Sequence, residues 1–247
     1  MDILYIYKNG CSNCNGLELK MSLRSIEKHG KNIGKVFITD KVDWASDKLI
    51  QVDCNKNLPF AHTQKDKHIN MIKTLLYVVD NTDIGDEFLI SMDDHFYIKD
   101  VDFNNYPYYC KNTKQHRLPT DSNSFYQLFL IRNRKQLKRQ GLTDYYFTLH
   151  RNMHCSRKII EECRTYLERV ITDKLPCEPF LYLLNYQYTK YGFDFVVTKD
   201  IKIHNADDFN KLNLANLEVF STYDFTTGDG LCAKLEKLFP NKSKYEK

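Results

Sequence analysis

The chain has 247 residues and a net charge of +4, with 42% hydrophobic and 28% charged residues. That balance excludes a disordered chain and a strongly basic or acidic one, and it permits an anionic partner without choosing among nucleotide, sugar phosphate and nucleic acid. One domain of this length buries roughly 70 to 75% of its unfolded surface, so the eight scattered cysteines read as reduced thiols rather than disulfide staples.

DILYIY (2–7) is a β-prone run ended by KNG, and LELKMSLRSIEKHG places Leu17, Met21, Leu23 and Ile26 on a helical stripe stopped by Gly30. KVFITD (35–40) and LIQVDC (49–54) are the next expected strands, with the only tryptophan, Trp44, in the loop between them. Residues 66–80 carry Ile69, Ile72, Leu75, Leu76 and Val79 at amphipathic-helix spacing. EFLISM (87–92) is a further strand, and a long loop is expected over 103–124. Helices follow at about 123–140, 156–172 and, marked by Pro176 and Pro179, in LPCEPFLYLLNYQYTKYG. Strands alternating with helices predict a single α/β domain with a mixed, mostly parallel sheet, whose ligands gather beyond the carboxyl ends of the strands. No apolar run reaches the ~18 residues needed to cross a bilayer, and MDILYIYKNG lacks a basic leader, so the expected setting is cytoplasmic.

At such a carboxyl end stands FLISMDDHFYI (88–98). Adjacent carboxylates are not tolerated inside an apolar strand without a cation or strong donors. The run therefore divides into a buried strand and an exposed pair, Asp93 and Asp94, suited to a divalent ion completed by phosphate and water. The alternative is a solvated turn. On an extended chain His95 points away from Asp94, which makes it a buttress or a packed side chain rather than a ligand of the same ion. Lys65, Lys67 and His68, at the start of the preceding helix, share this rim and are donor-phosphate candidates, with a solvated helix start as the alternative. Cys11 and Cys14 form a CxxC without a second ligand pair at zinc-finger spacing, which favours plain loop cysteines over structural zinc or a redox dithiol. In RNRKQLKRQG (132–141), Arg132, Lys135 and Arg139 share one helical face. It reads as a solvated face or a contact to a phosphate-bearing acceptor such as DNA, with Tyr145, Tyr146 and Phe147 nearby to stack on a sugar or base.

The order of the SLRSIEK block, the KVFITD strand, the loop tryptophan and a strand ending in paired aspartates resembles the second conserved region of the Stealth family of sugar-phosphate transferases. It is also similar to related short phage and bacterial glycosyltransferase-like proteins. This covers about residues 1–103. LHRNMHCSRK (149–158) is similar to a later family block built around a histidine, with Asn152 where a proline is usual. The resemblance implies a GT-A-like (Rossmann-like) nucleotide-sugar fold in which 1–103 forms the donor and metal half and 104–247 the acceptor half. It further implies Mn²⁺ or Mg²⁺ with Asp93, Asp94 and His150 as ligands, and Arg24 on donor phosphates beside Asp93. Candidate acceptor bases are Glu178, His150 and Asp94. The family's arginine near the following helix has no counterpart in LPCEPFLYLLNYQY, and the first family region is abbreviated. Sugar transfer from a nucleotide sugar to a hydroxyl of a glycan or a hydroxylated DNA base is therefore the expected function. Sugar-1-phosphate transfer in surface polysaccharide synthesis is the alternative enzyme, and a non-catalytic sugar- or nucleic-acid-binding module the alternative of another class.

Overall fold

The computed structural model describes residues 1–8, 16–54, 58, 63–113, 115, 117–120, 125–222 and 230–247; Cys11 and Cys14 lie outside them. Strand β1 (Asp2–Tyr5) leads to α1 (Leu17–His29), a short β2 (Gly30–Lys31), β3 (Val36–Ile38), β4 (Leu49–Gln51) and α2 (Gln64–Asn81). Next come β5 (Glu87–Ser91), β6 (His95–Tyr97), β7 (Val101–Asp102), β8 (Tyr108–Lys111) and α3 (Phe125–Arg139). The remainder is β9 (Met153–Ser156), α4 (Arg157–Asp173), α5 (Pro179–Tyr191), β10 (Phe195–Thr198), β11 (Lys202–Ile203), α6 (Ala206–Asn210), β12 (Val219–Thr222) and α7 (Leu231–Leu238).

The main sheet has the order β4-β3-β1-β5-β9. Its first four strands are parallel and β9 runs antiparallel to β5. The alternation of side chains explains why these strands are apolar almost throughout. Leu4, Phe37, Phe88 and Ile90 share a core with α2, α4 and α5, while Ile3, Tyr5, Val36, Ile38 and Leu89 share another with Leu19, Leu23 and Ile26 of α1. A sheet covered on both faces needs apolar residues at successive positions. Local signals set the helix limits. Thr63 and Asp66 form a reciprocal capping box at the start of α2. A side chain at Gly30 would sit 2.4 Å from the Ile26 carbonyl and 2.5 Å from Phe103, so only glycine lets α1 end against that ring.

A second, smaller sheet has the order β11-β12-β6, with β6 antiparallel to β12 and Phe96 opposite Phe220. Phe96 and Phe220 pack with Met21, Ile203, Leu231, Leu235 and Phe239 in a separate core. Consecutive strands β5 and β6 thus belong to different sheets, and Met92, Asp93 and Asp94 form the seam between them. Among the described residues, the loop expected over 103–124 contains β8 and a 3₁₀ turn at Phe103–Asn105.

Residues 243–247 fold back over α1 and the Trp44 loop. Tyr245 is buried, its carbonyl accepts from the Ser46 N–H at 2.8 Å, and Lys247 N–H donates to the Trp44 carbonyl at 2.9 Å. Arg24 donates through Nε and Nη2 to both Glu246 oxygens, each at 2.7 Å, and through Nη1 to the Phe239 carbonyl at 3.0 Å. The Glu246 side chain is 4% exposed, so removing its partner strands a carboxylate. Arg24→Ala is expected to cost about 3 kcal/mol in urea denaturation; an unchanged midpoint would show the pair to be dispensable.

His68 is buried and stacks on Phe129 with ring centroids 4.8 Å apart. Burial pushes its imidazole down to about 3 from an ordinary 6.5. The unfolded chain then takes up a proton that the folded chain refuses, so the stabilising contribution is present above pH 6.5 and lost as pH falls from 6.5 toward 3. His68→Leu should flatten the acid limb of a melting-temperature profile; an unaltered slope would contradict this.

Candidate functional site

β1 and β5 run in step to their carboxyl ends, where Ile6 N–H donates to the Ser91 carbonyl at 3.1 Å. Beyond Ser91 the chain turns through Asp93 and Asp94 before entering β6. The far side of the turn is held by α1. Ser22 Oγ donates to the His95 carbonyl at 2.6 Å and lies 3.0 Å from Tyr5 Oη. Ser25 Oγ accepts from Tyr97 N–H at 3.1 Å and donates to the Ser22 carbonyl at 2.7 Å. Both serines are fully buried. From the other sheet, Thr222 N–H donates to the Asp94 carbonyl at 3.3 Å.

The turn brings three groups together. Asp94 Oδ1 lies 3.6 Å from His95 Nε2, and Asp94 Oδ2 lies 3.9 Å from His150 Nδ1. One potential ligand atom from each residue lies within 4.8 Å of the other two. The His95 and His150 rings stand nearly perpendicular with centroids 6.4 Å apart. The expectation that His95 points away from Asp94 is corrected here: it assumed an extended chain, and Asp94 sits in a turn. Lys202 Nζ on β11 approaches Asp94 Oδ2 at 4.0 Å. Asp200 accepts from His150 N–H at 2.9 Å and from Lys111 Nζ at 2.9 Å, which fixes the backbone that presents His150.

The electrostatics of this cluster are opposed in sign. Burial raises the Asp94 carboxyl above its usual range, against the lowering effect of His150, Lys202 and Lys67. Burial pushes His95 down to about 4, and burial followed by Lys202 lowers His150. At neutral pH both imidazoles are uncharged and keep a lone pair. Neither His95 nitrogen completes a hydrogen bond. A carboxylate short of compensation beside two neutral imidazoles, one with orphaned nitrogens, is a donor set that fits a divalent cation.

Asp93 is not a member of this trio; its charge acts on buried Tyr5, at the β1 side of the turn. Lys67, exposed on the first turn of α2, acts on Asp94, whereas Lys65 is half-buried beside Asp66. Arg24 is held by Glu246 and Phe239, so the guanidinium expected on the donor anchors the 243–247 segment instead. Glu178 is buried as the N-cap of α5: it accepts from Leu181 N–H, and its own N–H donates to Asn133 Oδ1 at 2.7 Å. Capping, rather than acceptor activation, accounts for it. Arg132, Lys135 and Arg139 are exposed on α3. Tyr146 and Phe147 are buried, and Tyr145 lies under Arg117 at 3.9 Å and packs against Tyr188 and Phe195. These rings are occupied by the core and are not stacking platforms. Sequence reasoning missed His95 as a cluster member, Lys202 and Asp200; the last two lie in VTKDIKIH, which offers no motif.

A mixed, mostly parallel sheet, a small second sheet and an acidic turn at their seam define a GT-A-like fold. The structure is similar to the crystal structure of the galactosyltransferase LgtC in complex with donor and acceptor sugar analogues, with a TM-score of 0.50 and 12% identity over 98% of this chain and 96% of that one. No protein-family model matches the sequence, and no curated protein matches it.

Burial pushes the Glu178 carboxyl up to about 7 from 4.5. The folded state binds the proton more tightly than the unfolded one, so this group costs stability as pH rises from 4.5 through 7. Glu178→Gln keeps an oxygen on Leu181 N–H and removes the charge, and should melt higher than the parent at pH 8, with the gap closing toward pH 5. A lower melting temperature at pH 8 would assign the ionised carboxylate another role.

Proposed function

We propose that the protein is a divalent-metal-dependent glycosyltransferase that moves a sugar from a nucleotide-sugar donor to a hydroxyl acceptor. The observation that carries this is the Asp94, His95 and His150 cluster at the carboxyl end of β5, on the seam of a GT-A-like fold. Asp94, His95 and His150 would hold the ion, with Asp93 on the donor side of the same turn. A divalent ion supplies positive charge against the diphosphate that departs. Lys202 and Lys67 add fixed positive charge beside Asp94, where diphosphate oxygens would gather. Asp200 keeps His150 in place through its backbone N–H, and Ser22 keeps His95 in place through its carbonyl. Residues 1–103 thus supply the turn and its donor rim, while His150 and Lys202 arrive from 104–247. Among the described residues no helix is long and apolar enough to cross a membrane.

Sugar-1-phosphate transfer of the Stealth kind is less supported, because Arg24, the arginine expected on the donor, is taken up by Glu246. LgtC was crystallised with donor and acceptor sugar analogues, which makes galactosyl nucleotides and sugar hydroxyls the first substrates to try.

Thermal shift with UDP-, GDP- and CDP-sugars, with and without Mn²⁺, tests the reading. A ligand at 100 times its dissociation constant adds about 2.7 kcal/mol of stability. The metal-dependent part should vanish in Asp94→Asn, and a shift unchanged by both chelator and mutation would sink the metal assignment. The released nucleotide separates the enzymes, a diphosphate marking sugar transfer and a monophosphate sugar-phosphate transfer. A shift without turnover would mark a binding module. Because two of the three donors are imidazole nitrogens, Mn²⁺ should support the shift at about tenfold lower concentration than Mg²⁺.

A further inference from the structure

Asn152 is 2% exposed, and neither its amide nitrogen nor its oxygen completes a hydrogen bond. A buried carboxamide left in this state costs free energy unless it has a task. Its place in the fold indicates the task. β9 pairs with β5 as far as Met153 opposite Ile90, so one residue further Asn152 comes level with the end of β5, where the Asp93–Asp94 turn begins. His95 is 1% exposed and has both ring nitrogens orphaned. Its Nε2 faces Asp94, and the Asn152 carboxamide is a polar neighbour of the ring. Two buried groups with complementary unmet needs therefore stand beside each other, and the ring nitrogen left over after Nε2 is Nδ1.

We infer that Asn152 is a positioning residue whose carboxamide oxygen accepts the Nδ1 proton of His95, so that the Nε2 lone pair is presented to an ion shared with Asp94 and His150. The inference rests on the ion site proposed above. A neutral imidazole has one proton and two nitrogens, and whichever nitrogen donates leaves the other free to ligate. Without an acceptor at Nδ1 the proton distributes between the two nitrogens, and the ring also loses its orientation. Another polar neighbour is Ser221, on β12 directly opposite His95, with a buried, unpaired hydroxyl. It serves as the control.

Two measurements on the full chain test this. The first is Mn²⁺ binding by titration calorimetry and by electron paramagnetic resonance. Asn152→Leu should weaken binding by about 10- to 100-fold. Asn152→Asp, which keeps an oxygen at the same place, should stay near the parent, and Ser221→Ala should bind as the parent does. The second is nitrogen NMR of ¹⁵N-histidine-labelled, ion-free protein at pH 7.5, where His95 should show a protonated Nδ1 and an unprotonated Nε2, with mixed tautomers in Asn152→Leu. Asn152→Leu binding Mn²⁺ like the parent, His95 protonated at Nε2, or a loss confined to Ser221→Ala would overturn the role given to Asn152. Absence of Mn²⁺ binding by the parent would instead strike the ion site itself, and the tautomer of His95 in the parent would then decide the role of Asn152 alone, including where Asn152→Leu does not fold.

Discussion

Two hydroxyl groups on one helix hold the arrangement on which the site depends. Ser22 and Ser25 are one turn apart on α1, fully buried, and bound to the backbone of β6 at His95 and Tyr97. A strand leaving one sheet for another exposes carbonyl and N–H groups that neither ladder satisfies, and these groups must find partners when buried. The serines provide them. Having done so, they also fix where β6 starts, which forces the preceding residues into a turn and presents Asp94 to His95 and His150. Larger or apolar side chains at these positions would leave the β6 backbone unpaired, so the helix that covers the sheet is at once the template for the turn.

The turn then gathers groups whose protonation states are set first by burial and only then by one another. A carboxyl raised by desolvation and imidazoles lowered by it are two forms of one cost, the loss of water around charge. Lys202 at 4.0 Å from Asp94 relieves part of that cost. It leaves the imidazoles uncharged, and a divalent cation bound there would relieve the remainder without requiring any proton to move. The Lys111–Asp200–His150 chain has a different character, since it acts on the His150 backbone and so settles position before charge.

Much of this was legible in the sequence where the pattern is doubly buried. DILYIY, KVFITD and EFLISM are apolar at successive positions because both faces of the sheet are covered, and the α1 and α2 stripes follow from a single covered face. The later strands were not legible. β10, β11 and β12 are two to four residues long, and Val196 and Val197 of β10 are exposed, so no period develops. At the site, the structure brings the expected Asp94 and His150 together, but the exclusion of Asp93 and the geometry of His95 were not readable, because alternation holds only for extended backbone. Arg24 shows a different limit. Its chemistry is readable from its identity, but its partner lies 222 residues away and nothing local announces it. In the SLRS block the contacts to the Asp94 turn come from its serines and not from the arginine expected on the donor.

The Arg24–Glu246 pair also bears on the order in which the chain can be completed. As a nascent chain emerges, α1 and the first strands are available early, yet Glu246 is made 222 residues after Arg24, and the β12 partner of β6 also follows well behind it. Until they arrive, Arg24 faces a half-buried place without Glu246, and β6 has no strand partner among the described residues. The segment carrying Asp94 is therefore finished only after β12 has been made. A nascent chain that stops short of β12 would hold Asp94 and His95 on an unfinished frame.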